Sequence, residues 1–170
     1  MSSTRPLSHY VLLSLCLLAL LAALAAPRQQ AAAVTGGDNG RLAFQSTRHG
    51  NWEIYTMAPD GSDVIRLTNI AADDERPGWS PDSTKLVFGS RRGGNADIYV
   101  MNADGTNQVR LSTHPDFDGM PSWSPDGSQI VFFSNRDTGR RQIWIMAADG
   151  AGQRNLSSNE YNDWDPVWVR

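Results

Sequence analysis

Three aspartates and three arginines recur in step along this chain, and their types and spacing are the first feature that could do chemistry. Asp74, Asp118 and Asp163 each lie five residues before a tryptophan, and Arg48, Arg92 and Arg136 each lie two residues after a serine. Three carboxylates gathered on one rim would hold a cation or a basic peptide. Paired with the arginines, they would instead fasten the structure through charge-assisted hydrogen bonds, and the one-to-one count favours this structural pairing. Calcium is the one cofactor that a carboxylate ring would suggest, and the sequence otherwise calls for none. The spacing of Asp60, Asp63, Asp73, Asp74 and Glu75 does not match an EF-hand loop, so no residue is assigned as a metal ligand.

Catalytic patterns are lacking. Beyond the first 33 residues the histidines are His49 and His114, and no His-Glu-x-x-His or Gly-x-Ser-x-Gly run accompanies them. No residue is therefore assigned a catalytic role, and the chain reads as a non-enzymatic protein. A second group of residues is informative because it has no counterparts elsewhere in the chain. Trp52, His49, His114, Phe117, the Arg140-Arg141 pair, Tyr161 and Trp164 fall between the repeated segments. Unrepeated loop residues on a repeated scaffold are the binding-face candidates.

The elements that must position these residues follow from a repeat. Trp79, Trp123 and Trp168 are spaced by 44 and 45 residues, and Leu42-Ala43-Phe44 returns in the same phase as Leu86-Val87-Phe88 and Ile130-Val131-Phe132. Ile54-Tyr55-Thr56-Met57 returns as Ile98-Tyr99-Val100-Met101 and Ile143-Trp144-Ile145-Met146, and Asp60-Gly61 as Asp104-Gly105 and Asp149-Gly150. A period of about 40–45 residues is that of propeller blades. The runs are short, rich in β-branched and aromatic residues, and bounded by Gly, Asn and Asp, which predicts strands. Ser80-Pro81-Asp82 and Ser124-Pro125-Asp126 read as type I turns. The expected fold is all-β: blades of four antiparallel strands, with strands at 41–68, 77–112 and 121–157 and a closing strand at 163–170. The Asp and Arg sets are expected in loops at one end of the blades. Tyr55, Tyr99, Trp144 and the repeated tryptophans are expected to pack between blades.

The combination Pro-x-Trp-Ser-Pro-Asp, then Ile-x-Phe-x-Ser, then Ile-Tyr-x-Met-x-x-Asp-Gly, then Leu-Thr resembles the TolB-like propeller repeat of bacterial cell-envelope proteins. The resemblance spans residues 41–170 and implies a β-propeller with a periplasmic or secreted binding role. Ser83 stands where the family's repeat has Gly, and Asn155 where it has Arg. Similar propellers also accompany peptidases or act as lyases, so a degenerate accessory domain of such an enzyme remains the rival reading, with a cation-binding propeller as a third.

Residues 1–33 stand apart from the repeat. Arg5 precedes an apolar run from Tyr10 to Ala26 and small-residue stretches at Ala22-Ala23-Leu24-Ala25-Ala26 and Ala31-Ala32-Ala33, the pattern of a secretory signal peptide. An uncleaved signal would be the chain's only membrane anchor. Residues 34–40 read as a linker, and the protein is expected in the periplasm or outside the cell. The single cysteine, Cys16, lies inside the apolar run, so disulfides and thiolate metal sites are not expected beyond it. The formal charge is −3, and losing Arg5 and Arg28 with the leader makes it more negative, which argues against nucleic acid or an anionic membrane as partner. A protein or peptide is the expected partner. Three blades are too few to enclose an axis, and the strand type that the first blade lacks is the type expected at 163–170. Two copies could exchange those strands and close a six-bladed ring.

Overall fold

The computed structural model describes residues 40–169; the expected leader and most of the linker lie outside them. Among the described residues eleven strands form three antiparallel sheets in chain order. The first blade holds β1 (Leu42–Ser46), β2 (Glu53–Met57) and β3 (Ile65–Arg66). The second holds β4 (Asp74–Trp79), β5 (Lys85–Ser90), β6 (Asp97–Asn102) and β7 (Val109–Arg110). The third holds β8 (Asp118–Trp123), β9 (Gln129–Ser134), β10 (Gln142–Ala147) and β11 (Arg154–Asn155). Each sheet runs in simple meander order. The first strand of the second and third blades starts at the aspartate, three residues earlier than the proline-based boundary expected from the sequence. The expected twelfth strand does not form, since residues 163–169 pair with no other strand.

The sheets pack in series. β4 lies against β1 and β2, and β8 against β4, β5 and β6, while no strand of the first blade touches a strand of the third. Strand alternation sends successive side chains to opposite faces, so the second blade feeds two cores. Leu86, Phe88, Tyr99 and Met101 pack toward Ile54 of the first blade. Val87, Ile98, Val100 and Leu111 pack with Trp123, Ile130, Phe132, Trp144 and Met146 of the third. Burial of each such side chain contributes about 1.5–3 kcal/mol. The stabilising apolar area therefore lies between blades, and Tyr99 and Trp144 are buried in it, whereas Tyr55, expected there too, is buried against Phe44, Arg48 and His49 of its own blade because it points away from Ile54 and the second blade.

Repeated turns hold the strand ends. Each Asp-Gly hairpin spans three residues rather than two: the Gly105 amide donates to the Asn102 carbonyl at 2.9 Å and the Asn102 amide to the Thr106 carbonyl at 2.9 Å. Gly105 and Gly150 adopt φ of 82° and 89°, and a Cβ there would lie 2.8 Å from the Leu67 carbonyl oxygen and 2.9 Å from that of Leu111 in the preceding blade. These glycines thus serve the turn and the blade contact together.

In the Ser-Pro-Asp turns the serine hydroxyls of Ser80 and Ser124 donate to Asp82 and Asp126 at 2.6 Å. The backbone amides of Thr84 and Ser128 donate to the same carboxylates. The Ser124 hydroxyl and the Ser128 amide and hydroxyl hold the Asp126 carboxyl down to about 2. A carboxylate with a depressed folded-state value contributes stability above its unfolded value that is lost as pH falls through the folded one. Asp126→Ala is accordingly expected to lower the midpoint of urea unfolding at pH 7, with the difference from wild type shrinking between about pH 4 and pH 2. Urea titrations across that range check this.

Candidate binding site between the second and third blades

The repeated acidic and basic residues form clamps within blades. Asp74 and Asp118 are the buried first residues of β4 and β8, not loop residues as expected, because their amides are bonded to the preceding blade: Asp74 to the Trp52 carbonyl at 2.9 Å and Asp118 to the Ala96 carbonyl at 2.8 Å. Arg92 Nη2 meets Asp74 Oδ2 at 2.7 Å and Arg136 Nη2 meets Asp118 Oδ2 at 2.5 Å. Each guanidinium also lies over the blade's aromatics, Arg92 over Phe88 and Tyr99 and Arg136 over Phe132 and Trp144. Nη1 continues to Gln108 or Gln153, whose amides reach the Leu67 and Leu111 carbonyls of the preceding blade. Burial pushes the Asp74 carboxyl up, while Ser90 and Arg92 pull it down. The third expected pair is not made. Arg48 bonds the Ser46 hydroxyl at 3.0 Å and stacks on Tyr55, and Asp163 accepts from Asn159 at 2.8 Å, because the two lie at opposite ends of the series of blades.

A second buried polar position escapes the sequence reading. Glu53, Asp97 and Gln142 occupy equivalent places at the start of β2, β6 and β10, all fully buried. Glu53 pairs with Arg66 at 2.8 Å and Asp97 with Arg110 at 2.7 Å. Burial pushes Glu53 up, but the Thr68 hydroxyl, the Arg66 guanidinium and the Ile70 amide together hold it below the usual range. Burial raises Asp97. In the third blade both partners change at once: neutral Gln142 accepts from Ser157 and Asn159, and Asn155 replaces the arginine. That compensation explains the departure at Asn155, and the parallel spacing of Glu53 with Arg66 and Asp97 with Arg110 was the available signal.

The unrepeated residues divide into two groups. Phe117, Arg141 and Trp164 come together with Arg91 and Phe133 in one continuous stack. Arg91 lies over Phe117 at 5.2 Å, Phe117 stacks on Phe133 at 5.4 Å, and Arg141 sits 5.6 Å over Phe133 and 4.7 Å over Trp164. Gly119, opposite Phe133 in the β8–β9 ladder, makes room: a Cβ there would lie 2.7 Å from Phe117 and 3.1 Å from Phe133. Beside the stack opens a recess of about 200 Å³ that Asp73, Glu75 and Arg76 also line. A wider cleft bounded by Asn135 and Asn162 continues from it. Phe133 and Arg91 were missed because each sits inside or directly after a repeated strand, where only comparison with Gly89 and Gln45, or with Thr47 and Asn135, shows them to be unique.

The remaining candidates lie outside this recess. His49 Nδ1 is 2.6 Å from the Tyr55 hydroxyl, on which its ring stacks. Trp52 is partly exposed, with its amide bonded to Asp73 at 3.0 Å. His114 Nδ1 lies 3.4 Å from Asp116. Arg140 donates to the Glu160 carbonyl, and Tyr161 is exposed while its carbonyl accepts from Gln142. Among the described residues no group of three or more His, Cys, Asp or Glu side chains is placed to hold a metal ion.

Serial antiparallel meanders, one of three strands and two of four, with their cores between them define a β-propeller architecture, here as three blades among the described residues. The sequence profile of the TolB beta propeller domain matches residues 27–116 and 69–170, and the chain belongs to that family. Among solved structures it is similar to a putative TolB from Agrobacterium tumefaciens, with 32% identity and a TM-score of 0.66 over 73% of this chain and 44% of that one. It is also similar to TolB from Acinetobacter baumannii, with 25% identity and a TM-score of 0.59 over 69% of this chain and 29% of that one. An oligogalacturonate lyase from Vibrio parahaemolyticus shares the fold at 10% identity, with a TM-score of 0.52 over 68% of this chain and 35% of that one. The chain therefore spans less than half the length of these relatives. No curated protein matches it.

The clamp makes a quantitative demand. Arg136→Ala leaves the Asp118 carboxylate buried without its cation and is expected to cost about 3–5 kcal/mol. Removing Asp118 as well should recover part of that loss, giving a double variant less destabilised than the sum of the singles. Equilibrium denaturation of the four proteins in this cycle measures it.

Proposed function

We propose that this chain is an exported, non-enzymatic propeller scaffold of the cell envelope that binds a protein or peptide in the recess between its second and third blades. The observation that carries this reading is the Arg91, Phe117, Phe133, Arg141 and Trp164 stack: five side chains with no repeat counterparts, assembled beside the recess. Blade construction requires none of them, since the equivalent place is Thr47 in the first blade for Arg91, and Asp73, Gly89, Ala96 and Glu75 in the second for Phe117, Phe133, Arg141 and Trp164. Rigid aromatic faces bounded by guanidinium groups provide apolar contact and directional donors together, the combination found at interface hot spots. The carboxylates of Asp73 and Glu75, which also line the recess, add acceptors for a peptide backbone or a basic side chain.

The signal-like leader supports export, and the family membership supports a propeller scaffold. His49 and His114 are engaged with Tyr55 and Asp116 and do not line the recess, which favours binding over hydrolysis.

Selection of a phage-displayed peptide library on the immobilised chain tests the proposal. Enriched peptides should bind Arg141→Ala and Trp164→Ala at least tenfold more weakly, a loss of about 1.4 kcal/mol or more, while the melting temperature stays that of wild type. Peptides that bind these variants as well as wild type, or no enrichment over a blank surface, would overturn it.

A further inference from the structure

Every complete blade joins its first strand to its second and locks the pair with an arginine on a buried aspartate, and the first blade shows the same lock with one half absent. Arg48 already holds the working pose. Its Nε meets the Ser46 hydroxyl at 3.0 Å, as Arg92 and Arg136 meet Ser90 and Ser134 at 2.9 Å, and it lies over Phe44 and Tyr55 as they lie over their own aromatics. No carboxylate pairs with it among the described residues. Among the described strands β1 bonds only β2, and Leu42 is 45% exposed while its equivalent Leu86 is fully buried.

The other half stands beyond the third blade. The Asp163 amide donates to the Arg141 carbonyl at 2.7 Å, as the Asp74 and Asp118 amides do to Trp52 and Ala96, so residues 163–168 are placed as the first strand of a following blade. Asp165 has φ of 59°, matching the 57° of Arg76 and 50° of Met120 at the bulges of β4 and β8. The segment thus shares the positive φ of those bulges while pairing with no described strand, and Trp168 is 38% exposed where Trp123 is buried. Two further surfaces match in the same way. Leu156 is 45% exposed, whereas its equivalent Leu111 is covered by Gly150, and Gly61, the equivalent of Gly150, has open space where a Cβ would point.

We propose that the open edge of the first blade receives residues 163–168 of a second copy of this chain, with Arg48 of one copy paired to Asp163 of the other. By the register of β4 on β5, Asp163 falls opposite Ser46, Val167 opposite Ala43 and Trp168 opposite Leu42. The exchange is reciprocal, so in a two-fold pair each copy covers the open side of the other's β1. Charge complementarity, the positive φ of Asp165 and the Leu156–Gly61 match all fit a second copy of this chain.

Light scattering coupled to size exclusion, run over a concentration series, tests this on the full chain. Wild type should elute with the mass of two chains. Arg48→Asp and Asp163→Arg should each raise the dissociation constant at least tenfold, and the double charge swap in one chain should restore the dimer. Restoration by the swap separates loss of the pair from loss of folding. A wild-type monomer, a dimer indifferent to both single changes, or a double variant no tighter than the singles would overturn the proposal. The recess residues are untouched by these changes, so failure here leaves peptide binding standing and failure there leaves the dimer standing.

Discussion

The structure depends on one constraint: a four-stranded blade cannot cover its own apolar faces. β5 and β6 carry apolar side chains on both sides, and each side is buried only because another blade lies against it. The local devices all serve that requirement. The glycines of the Asp-Gly hairpins leave room for a leucine carbonyl of the preceding blade, and Gln153 reaches the Leu111 carbonyl at 3.0 Å while holding Arg136 at 2.7 Å. The arginine fixes the aspartate that begins the first strand, and that strand makes the blade-to-blade contact. Covering a face and locking a first strand are two aspects of one device.

Because the repeat commits the same positions in every blade to this device, the positions where blades differ are the ones blade construction leaves free. The stack from Arg91 to Trp164 draws on four segments: the loop after β5, the approach to β8, the end of β9 with the loop before β10, and the stretch after β11. None contains a catalytic signature, yet packing of consecutive blades brings them to one wall. The third blade also shows how a repeat tolerates change. Where the buried carboxylate of Glu53 and Asp97 becomes Gln142, the arginine partner becomes Asn155, so that no buried charge is left alone.

Much of this was legible in the sequence. The 44-residue phase gave the strands and their order, and the equal numbers of Asp and Arg pointed to pairing, which holds for Asp74 with Arg92 and Asp118 with Arg136. Placing the aspartates in loops was wrong because the boundary was drawn at the proline, whereas the ladder resumes on the far side of a bulge at Arg76 and Met120. The strand expected at 163–170 does not form among the described residues, although the Asp163 amide bonds the Arg141 carbonyl as those of Asp74 and Asp118 bond Trp52 and Ala96, and Asp165 shares the positive φ of Arg76 and Met120. Of the unrepeated residues, Phe117, Arg141 and Trp164 converge, whereas His49 is held by Tyr55. Spacing alone does not distinguish those cases, since the difference lies in which neighbour each loop meets. Phe133 went unnoticed because an aromatic in a strand reads as core until its counterpart, Gly89, is set beside it.

The central claim is that the folding unit is the contact between blades rather than the blade. Circular dichroism of an isolated second blade, residues 74–112, compared with the intact chain, tests it most directly. The account predicts a coil spectrum without a thermal transition for the fragment, although it carries every hydrogen bond of its own sheet, and a cooperative β-sheet transition for the whole chain. A fragment that folds to a β-sheet and melts cooperatively at low concentration would contradict it.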